Sequence, residues 1–303
     1  MKTEKCLADL QLEVIYNDKC IKCGSCGAFC PNIFFEEGNV KYREQCSETV
    51  GVCYNFCPRG ELNLPAIDKK LFGQAREDQA LGVYQKAVNT SLKDKSLKDV
   101  ATALLVAAME ENMLDSVVTA DASVEKRLEP KICKNKDELL IHAGERKGLG
   151  PIVWGAGEAI RNGFEKIAVV GRPCHAQGLG KILKNEDFIV EQDKIKMVIS
   201  YFCLAQGKGC NVCMDYTGEF ADISIDPKSG DMLIRSDMGM SAVNKAVEKG
   251  YISISDIDPT SIREASAKKK VRNFRKVLSK NRERIDVGYL QLDIGAMKLL
   301  SKE

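Results

Sequence analysis

Three hundred and three residues, 44% apolar and 29% charged, suffice for two folded domains with cores of their own, and no low-complexity tract interrupts them. The 45 basic and 43 acidic residues leave a formal charge of only +2, which gives no reason to expect a nucleic-acid partner, and the longest apolar run, 101–109, is too short to cross a bilayer. Thirteen cysteines fall mainly in two districts, 20–57 and 174–213, behind a start without an export-signal core; disulfides are therefore not expected, and reduced cytoplasm with metal binding is.

Residues 1–16 hold one isolated cysteine, Cys6, read as a bystander unless a ligand is missing downstream. Cys20, Cys23, Cys26 and Cys30, closed by Pro31, then reproduce without a gap the bacterial ferredoxin run that wraps a 4Fe–4S cube. Three thiolates in one tight turn reach three irons of one cube, and the fourth is placed to reach a neighbouring cluster. Gly24 and Gly27 are expected to let the backbone curl close to the inorganic sulfides. A zinc site or disulfides compete with this reading, but zinc knuckles rarely carry this uninterrupted run with its proline.

Residues 32–42 read as a small hairpin about a Glu37-Gly38-Asn39 turn, followed by a second run, Cys46, Cys53 and Cys57-Pro58. Since the last cysteine of each run serves the other cube, Cys20, Cys23, Cys26 and Cys57 are expected to hold the first. The second would take Cys30, Cys46 and Cys53, but Val50 stands where a regular run has its ligand. That centre is a three-iron form, borrows Cys6 or a carboxylate such as Glu48, or is absent.

Beyond Leu64-Pro65, residues 96–112 show apolar positions at helical spacing, and residues 137–142, 158–162 and 240–249 also read as helical. Residues 116–120, 166–170 and 194–202 read as buried strands, and 220–226 with 232–235 as a strand pair around 227–230. Strands alternating with helices imply a partly parallel sheet, with ligands at the carboxyl ends of its strands. Arg172, Cys174 and His175 stand at such an end, Cys203 at another, and Cys210-Asn-Val-Cys213 follows. These four cysteines suggest a further cluster or a zinc ion. His175 is a candidate sulfide partner or proton relay or a structural hydrogen bond, Arg172 a candidate phosphate partner or a surface residue; Trp154 and Phe164 read as core. The nine basic residues between 268 and 284 read as the solvated face of a terminal helix, with an acidic docking partner as the alternative.

Gly171-Arg-Pro-Cys-His-Ala-Gln-Gly-Leu-Gly180, then Tyr201-Phe-Cys203 before Cys210-x-x-Cys213-x-Asp-Tyr216, then Ala221-Asp-Ile-Ser224, resemble the beta-subunit family of coenzyme F(420) hydrogenases and dehydrogenases. Residues 71–84 resemble the segment joining the two domains in members with an amino-terminal ferredoxin module. The resemblance implies an iron–sulfur flavoprotein that exchanges hydride with coenzyme F(420) and passes electrons through two to three 4Fe–4S clusters. FAD is implied as its flavin. Its partners would be redox subunits such as a hydrogenase or formate dehydrogenase in a hetero-oligomer, with no nucleic acid and no direct membrane insertion.

It also implies that Cys174, Cys203, Cys210 and Cys213 hold a third cluster in preference to zinc, and that Arg146, Arg172 and His175 are candidate cofactor-binding residues. The family's Gly-Gly pair near the flavin is Lys98-Asp99 here, the loop around 143–147 keeps a basic residue at Arg146 and loses its aromatic, and the stretches between Cys203 and Cys210 and after Ala221–Ser224 are short. These departures fall on the organic cofactor site, so an electron-transfer adaptor without flavin or F(420) binding is the alternative function. The fold class expected is α+β: a two-cluster ferredoxin-like module at 1–64, a larger mixed α/β domain resembling the family's at 65–255, and a basic helical tail at 256–303.

Overall fold

Ser116–Ala120 (β4), Ile167–Gly171 (β6) and Ile195–Tyr201 (β7), almost wholly apolar and buried, align in parallel at the heart of an eight-stranded sheet in the computed structural model, which describes residues 4–121, 129–143 and 150–280. Ile223–Ile225 (β8) extends the parallel set. Antiparallel partners complete it: Asp231–Ile234 (β9), Lys86–Leu92 (β3) and Ile252–Asp256 (β10) on one side and Pro130–Cys133 (β5) on the other, in the order β10-β3-β9-β8-β7-β6-β4-β5. The central strands feed both faces. Ala168 and Val170 point into one core and Ile167 and Val169 into the other, as the two-residue period of a strand requires.

Helices Val100–Glu110 (α4) and Asp237–Glu248 (α8) cover the first face, with Lys136–Ile141 (α5) beside them. Ile152–Arg161 (α6) and Pro173–Leu183 (α7) cover the second, with Leu64–Phe72 (α3) against α7. The result is a mixed α/β sandwich, as expected for the larger part of the chain. Helix α4 is buried on nearly every side from Ala101 to Ala108 rather than along one stripe, because α8, α5 and the sheet all close on it. Asp99 caps its start, accepting from the Thr102 amide at 2.8 Å.

The thiol-rich amino-terminal lobe contains Leu7–Leu10 (α1), the hairpin Ile33–Glu36 (β1) and Asn39–Tyr42 (β2), and Val52–Asn55 (α2). It packs its own apolar cluster, with Phe35 against Trp154 of α6 at 5.8 Å between ring centroids, in keeping with the core reading of that tryptophan. Its backbone lies directly on α6 and α7. A Cβ at Gly157 would stand 2.0 Å from the Ala28 carbonyl oxygen, and one at Gly178 2.0 Å from the Ser25 hydroxyl. The Val153 amide donates to the Cys23 carbonyl (3.0 Å), Arg161 to the Ala28 carbonyl (2.8 Å) and Lys181 to the Cys57 carbonyl (2.8 Å).

The last described helix, Thr260–Lys280 (α9), does not present the expected solvated basic face throughout. Lys269 and Lys270 are buried, with Val271 and Phe274, because this side of α9 lies on the segment that carries Cys203 to Cys213. Among the described residues, no helix is long and apolar enough to cross a membrane.

Candidate metal centres

The tight turn after α1 delivers Cys20, Cys23 and Cys26, and the end of α2 delivers Cys57. These four line one pocket, together with Leu10, Val14 and Phe35. Main-chain donors already point at sulfur: the Lys22 amide at Cys20 and the Arg59 amide at Cys57, both at 3.4 Å, while the Ser25 hydroxyl lies 3.2 Å from Cys23. The glycines of this turn also lie close against the rest of the protein. At Gly24, with φ +95°, a Cβ would stand 2.5 Å from the Trp154 amide nitrogen, and at Gly27 it would press on Phe35 at 2.9 Å. What they admit is the neighbouring protein.

Burial raises three thiols of this set, Cys20, Cys23 and Cys26. Cys23 is pushed up to about 12 and Cys26 well above the ordinary thiol range, each with Cys57 as the next contribution. Metal-free, they hold their protons at neutral pH, and every iron–sulfur bond formed must expel one.

Cys53, on α2, is raised to about 12, first by burial and then by Cys30 and Cys46, both of which pack against its apolar cluster. Glu48 is exposed. Cys133, by contrast, is buried at the end of β5 in the main core.

The other district assembles as well. Cys174 sits in the first turn of α7, Cys203 just beyond β7, and Cys210 and Cys213 in the loop that follows. Burial raises Cys174 well above the usual range, followed by Cys213, with Cys23 and Cys203 adding to it; Cys210 is raised by burial, then by Cys213 and Cys203. Among the described residues no three His, Cys, Asp or Glu side chains close on a point as the ligands of a single ion do.

Three features of this site were not expected from the sequence. Helix α9 clamps the loop: Lys269 donates to the carbonyls of Cys203 (2.7 Å) and Asp215 (2.6 Å), and Asn273 to those of Cys210 (3.0 Å) and Cys213 (2.5 Å). The spacing Lys269, Asn273, Lys276 on one helical face was the available signal, and Lys276 does reach Asn211 at 3.1 Å. Arg59, 2% exposed, donates to Gln177 at 3.0 Å and is the cation felt by Cys20, Cys174 and Cys210 together. Finally, Cys23 and Cys174 pack in one small apolar cluster with Ile21, so the two four-thiol sets adjoin.

Arg172 turns toward Cys203, its guanidinium 3.6 Å from the sulfur. His175 accepts from the Arg172 amide at Nδ1 (2.9 Å) and meets the Gly150 carbonyl through Nε2 (2.9 Å). Burial lowers its pKa to about 4, so the ring is neutral, with Nε2 carrying the proton. Arg146 lies outside the described residues. Lys98, at the start of α4, adopts φ +67° and sends its ammonium to the Leu140 carbonyl at 2.5 Å.

Residues 99–153 match the family described as coenzyme F(420) hydrogenase/dehydrogenase, beta subunit N-term, and residues 164–207 and 205–260 match the companion description for the carboxyl terminus of the same beta subunit, together about half of the chain. An uncharacterized protein of Methanocaldococcus jannaschii is 25% identical over 84% of this chain and 94% of its own length. The coenzyme F(420) hydrogenase subunit beta of Methanococcus voltae is 24% identical over 69% of this chain and 99% of its own. A coenzyme F(420)-dependent sulfite reductase of M. jannaschii is 23% identical over 89% of this chain, which spans 52% of that enzyme. Among solved structures, a chain of the F(420)-reducing NiFe hydrogenase complex of Methanosarcina barkeri superposes with a TM-score of 0.62 at 23% identity, over 69% of this chain and 97% of that one, and so shares the fold.

Proposed function

Because this chain belongs to the coenzyme F(420) hydrogenase/dehydrogenase beta-subunit family, we propose that it is the oxidoreductase subunit that exchanges hydride with coenzyme F(420) and relays electrons through 4Fe–4S centres to a partner redox subunit. The packing of Cys23 and Cys174 in one apolar cluster with Ile21 supports this reading, since it brings the two proposed four-thiol sets side by side. Cys20, Cys23, Cys26 and Cys57 would hold the first centre of a ferredoxin-like module, and Cys174, Cys203, Cys210 and Cys213 the centre of the larger domain. Cys30, Cys46 and Cys53 supply three ligands of another.

The donors fit the group. Four thiols around a space, with main-chain N–H groups aimed at two of the sulfurs, match what a cube of iron and sulfide requires. When bound, FAD would take two electrons as hydride and release them singly to centres that carry one each. The chain's own residues position and shield. Arg59 would offset the negative charge of both adjoining centres, Arg172 supports the Cys203 ligand, and His175, with both ring nitrogens engaged, holds the first turn of α7 and so Cys174. Arg146, Arg172 and His175 are the family-implied candidates on the flavin side. Thirteen free cysteines suit the reducing cytoplasm, and a hydrogenase or formate dehydrogenase type of subunit suits the electron partner.

The test is anaerobic. Flavin is quantified in the purified chain, reduced F(420) is added, and the visible spectrum is followed. Stoichiometric flavin with bleaching of the iron–sulfur absorbance is expected; intact centres with neither flavin nor bleaching would overturn the hydride reading.

A second reading is an adaptor of the same scaffold that binds no flavin. Lys98-Asp99 favours it, because a side chain stretched from Lys98 to the Leu140 carbonyl stands where the family has two glycines near the flavin. The same flavin measurement decides between the two.

A further inference from the structure

Cys30 and Cys46 pack against the apolar cluster that holds Cys53, and the regular fourth position is Val50, yet the backbone of Cys6 lies beside Gly51 at the start of α2. The Gly51 amide donates to the Lys5 carbonyl at 2.8 Å, which lays the amino-terminal segment along the start of α2. A Cβ at Gly51 would touch the Cys53 sulfur at 2.8 Å and the Cys6 Cα at 3.4 Å. Glycine therefore keeps open the gap between the Cys53 sulfur and the Cys6 backbone, and any larger residue would fill it.

The segment is anchored there. Leu7 and Leu10 are buried in the same apolar cluster as Cys53, against which Cys30 and Cys46 pack. Lys5 bridges Glu13 (2.6 Å) and Tyr54 (3.1 Å), and the Cys6 amide donates to Asp9 at 2.8 Å. The other donor considered from the sequence, Glu48, is exposed.

We propose that Cys6 is the fourth thiolate ligand of the second iron–sulfur centre, with Cys30, Cys46 and Cys53. The proposal rests on the reading that this centre exists. Ligation breaks the Cys6 S–H bond, forms a sulfur–iron bond and releases one proton to solvent, with no change of oxidation state. The centre is then a four-iron cube despite the irregular motif, closed by a residue that precedes the ferredoxin-like run.

The full chain, reconstituted anaerobically with iron and sulfide, is compared with its Cys6→Ala, Cys6→Ser and Cys53→Ala variants by iron analysis and electron paramagnetic resonance, with the first centre's signal as control. Wild type should show no three-iron signal. Both Cys6 variants should lose one of the second centre's four irons and gain a three-iron signal on oxidation, with serine retaining the size of the side chain should alanine disturb the turn; Cys53→Ala should lose more of that centre's iron. Unchanged Cys6 variants beside an iron-depleted Cys53→Ala would overturn Cys6 as ligand and leave the second centre standing. Wild-type iron in Cys53→Ala as well would remove the centre itself, and a three-iron signal already present in wild type would show that Cys6 does not complete it.

Discussion

Glu219 lies 2% exposed between Arg76 and Lys270, and Arg76 is also paired with Asp68, so one carboxylate ties α3, the segment that follows it and α9 together. Burial alone would raise its pKa, but the two cations hold it below the usual carboxylate value. Its contribution to stability is thus fully present above the unfolded carboxylate pKa of about 4.3 and lost as pH falls through the folded value. Glu219→Gln should cost about 3–5 kcal/mol at neutral pH, measured by denaturant unfolding, and should flatten the loss of stability on acidification below about pH 4.5. Lys98 is the opposite case, a side chain on backbone suited to glycine: at φ +67° and ψ −45°, it should yield about 1 kcal/mol of stability on Lys98→Gly and none on Lys98→Ala. Residue identity announces the thiols, because ligand spacing is local. It cannot announce Glu219, whose partners lie 143 and 51 positions away.

At the scale of elements, what a helix touches decides what its sequence means. The basic run in α9 reads as a solvated face when charge alone is counted, yet Lys269 and Asn273 spend their donors on carbonyls of the thiol loop. Asn273→Ala removes two hydrogen bonds of about 1 kcal/mol each, so iron of the Cys174 set should be lost to a chelator roughly tenfold faster or more, while that of the Cys20 set is unaffected. Helix α7 is hidden in the sequence because Pro173, Gly178 and Gly180 look like turn residues. Pro173 instead opens the helix, and Gly180 makes room for Ile67 and Phe220, whose atoms a Cβ would approach to 3.0 and 3.2 Å. The central strands are legible because burial on both faces leaves unbroken apolar runs. Strands β3 and β10, half polar at or near the sheet edge, and the four-residue β5 carry no such run.

Across the whole molecule the thiol sets form a line: Cys30, Cys46 and Cys53, then the Cys20 set that shares Cys57 as a neighbour, then the Cys174 set through Cys23. On the proposed reading, the centres held by the adjoining Cys20 and Cys174 sets should couple magnetically when both are reduced. The reduced Cys20-set signal should therefore be broadened in the wild-type protein and sharpen in a Cys203→Ala/Cys210→Ala variant that lacks the adjoining centre. The order of the cysteines along the chain does not give this line, because Cys23 and Cys174 are 151 positions apart and meet only through the seating of the amino-terminal lobe on α6 and α7.

That seating has a kinetic consequence. With Gly157 and Gly178 pressed to within a side chain's absence of the Ala28 carbonyl and the Ser25 hydroxyl, neither lobe has slack in which to rock against the other. On the proposed reading, the tunnelling gap between the centres of the two adjoining thiol sets is set once, when the chain folds. Electron passage across it should proceed at the same rate in buffer and in thickened solvent, with no gating by diffusion of one lobe toward the other.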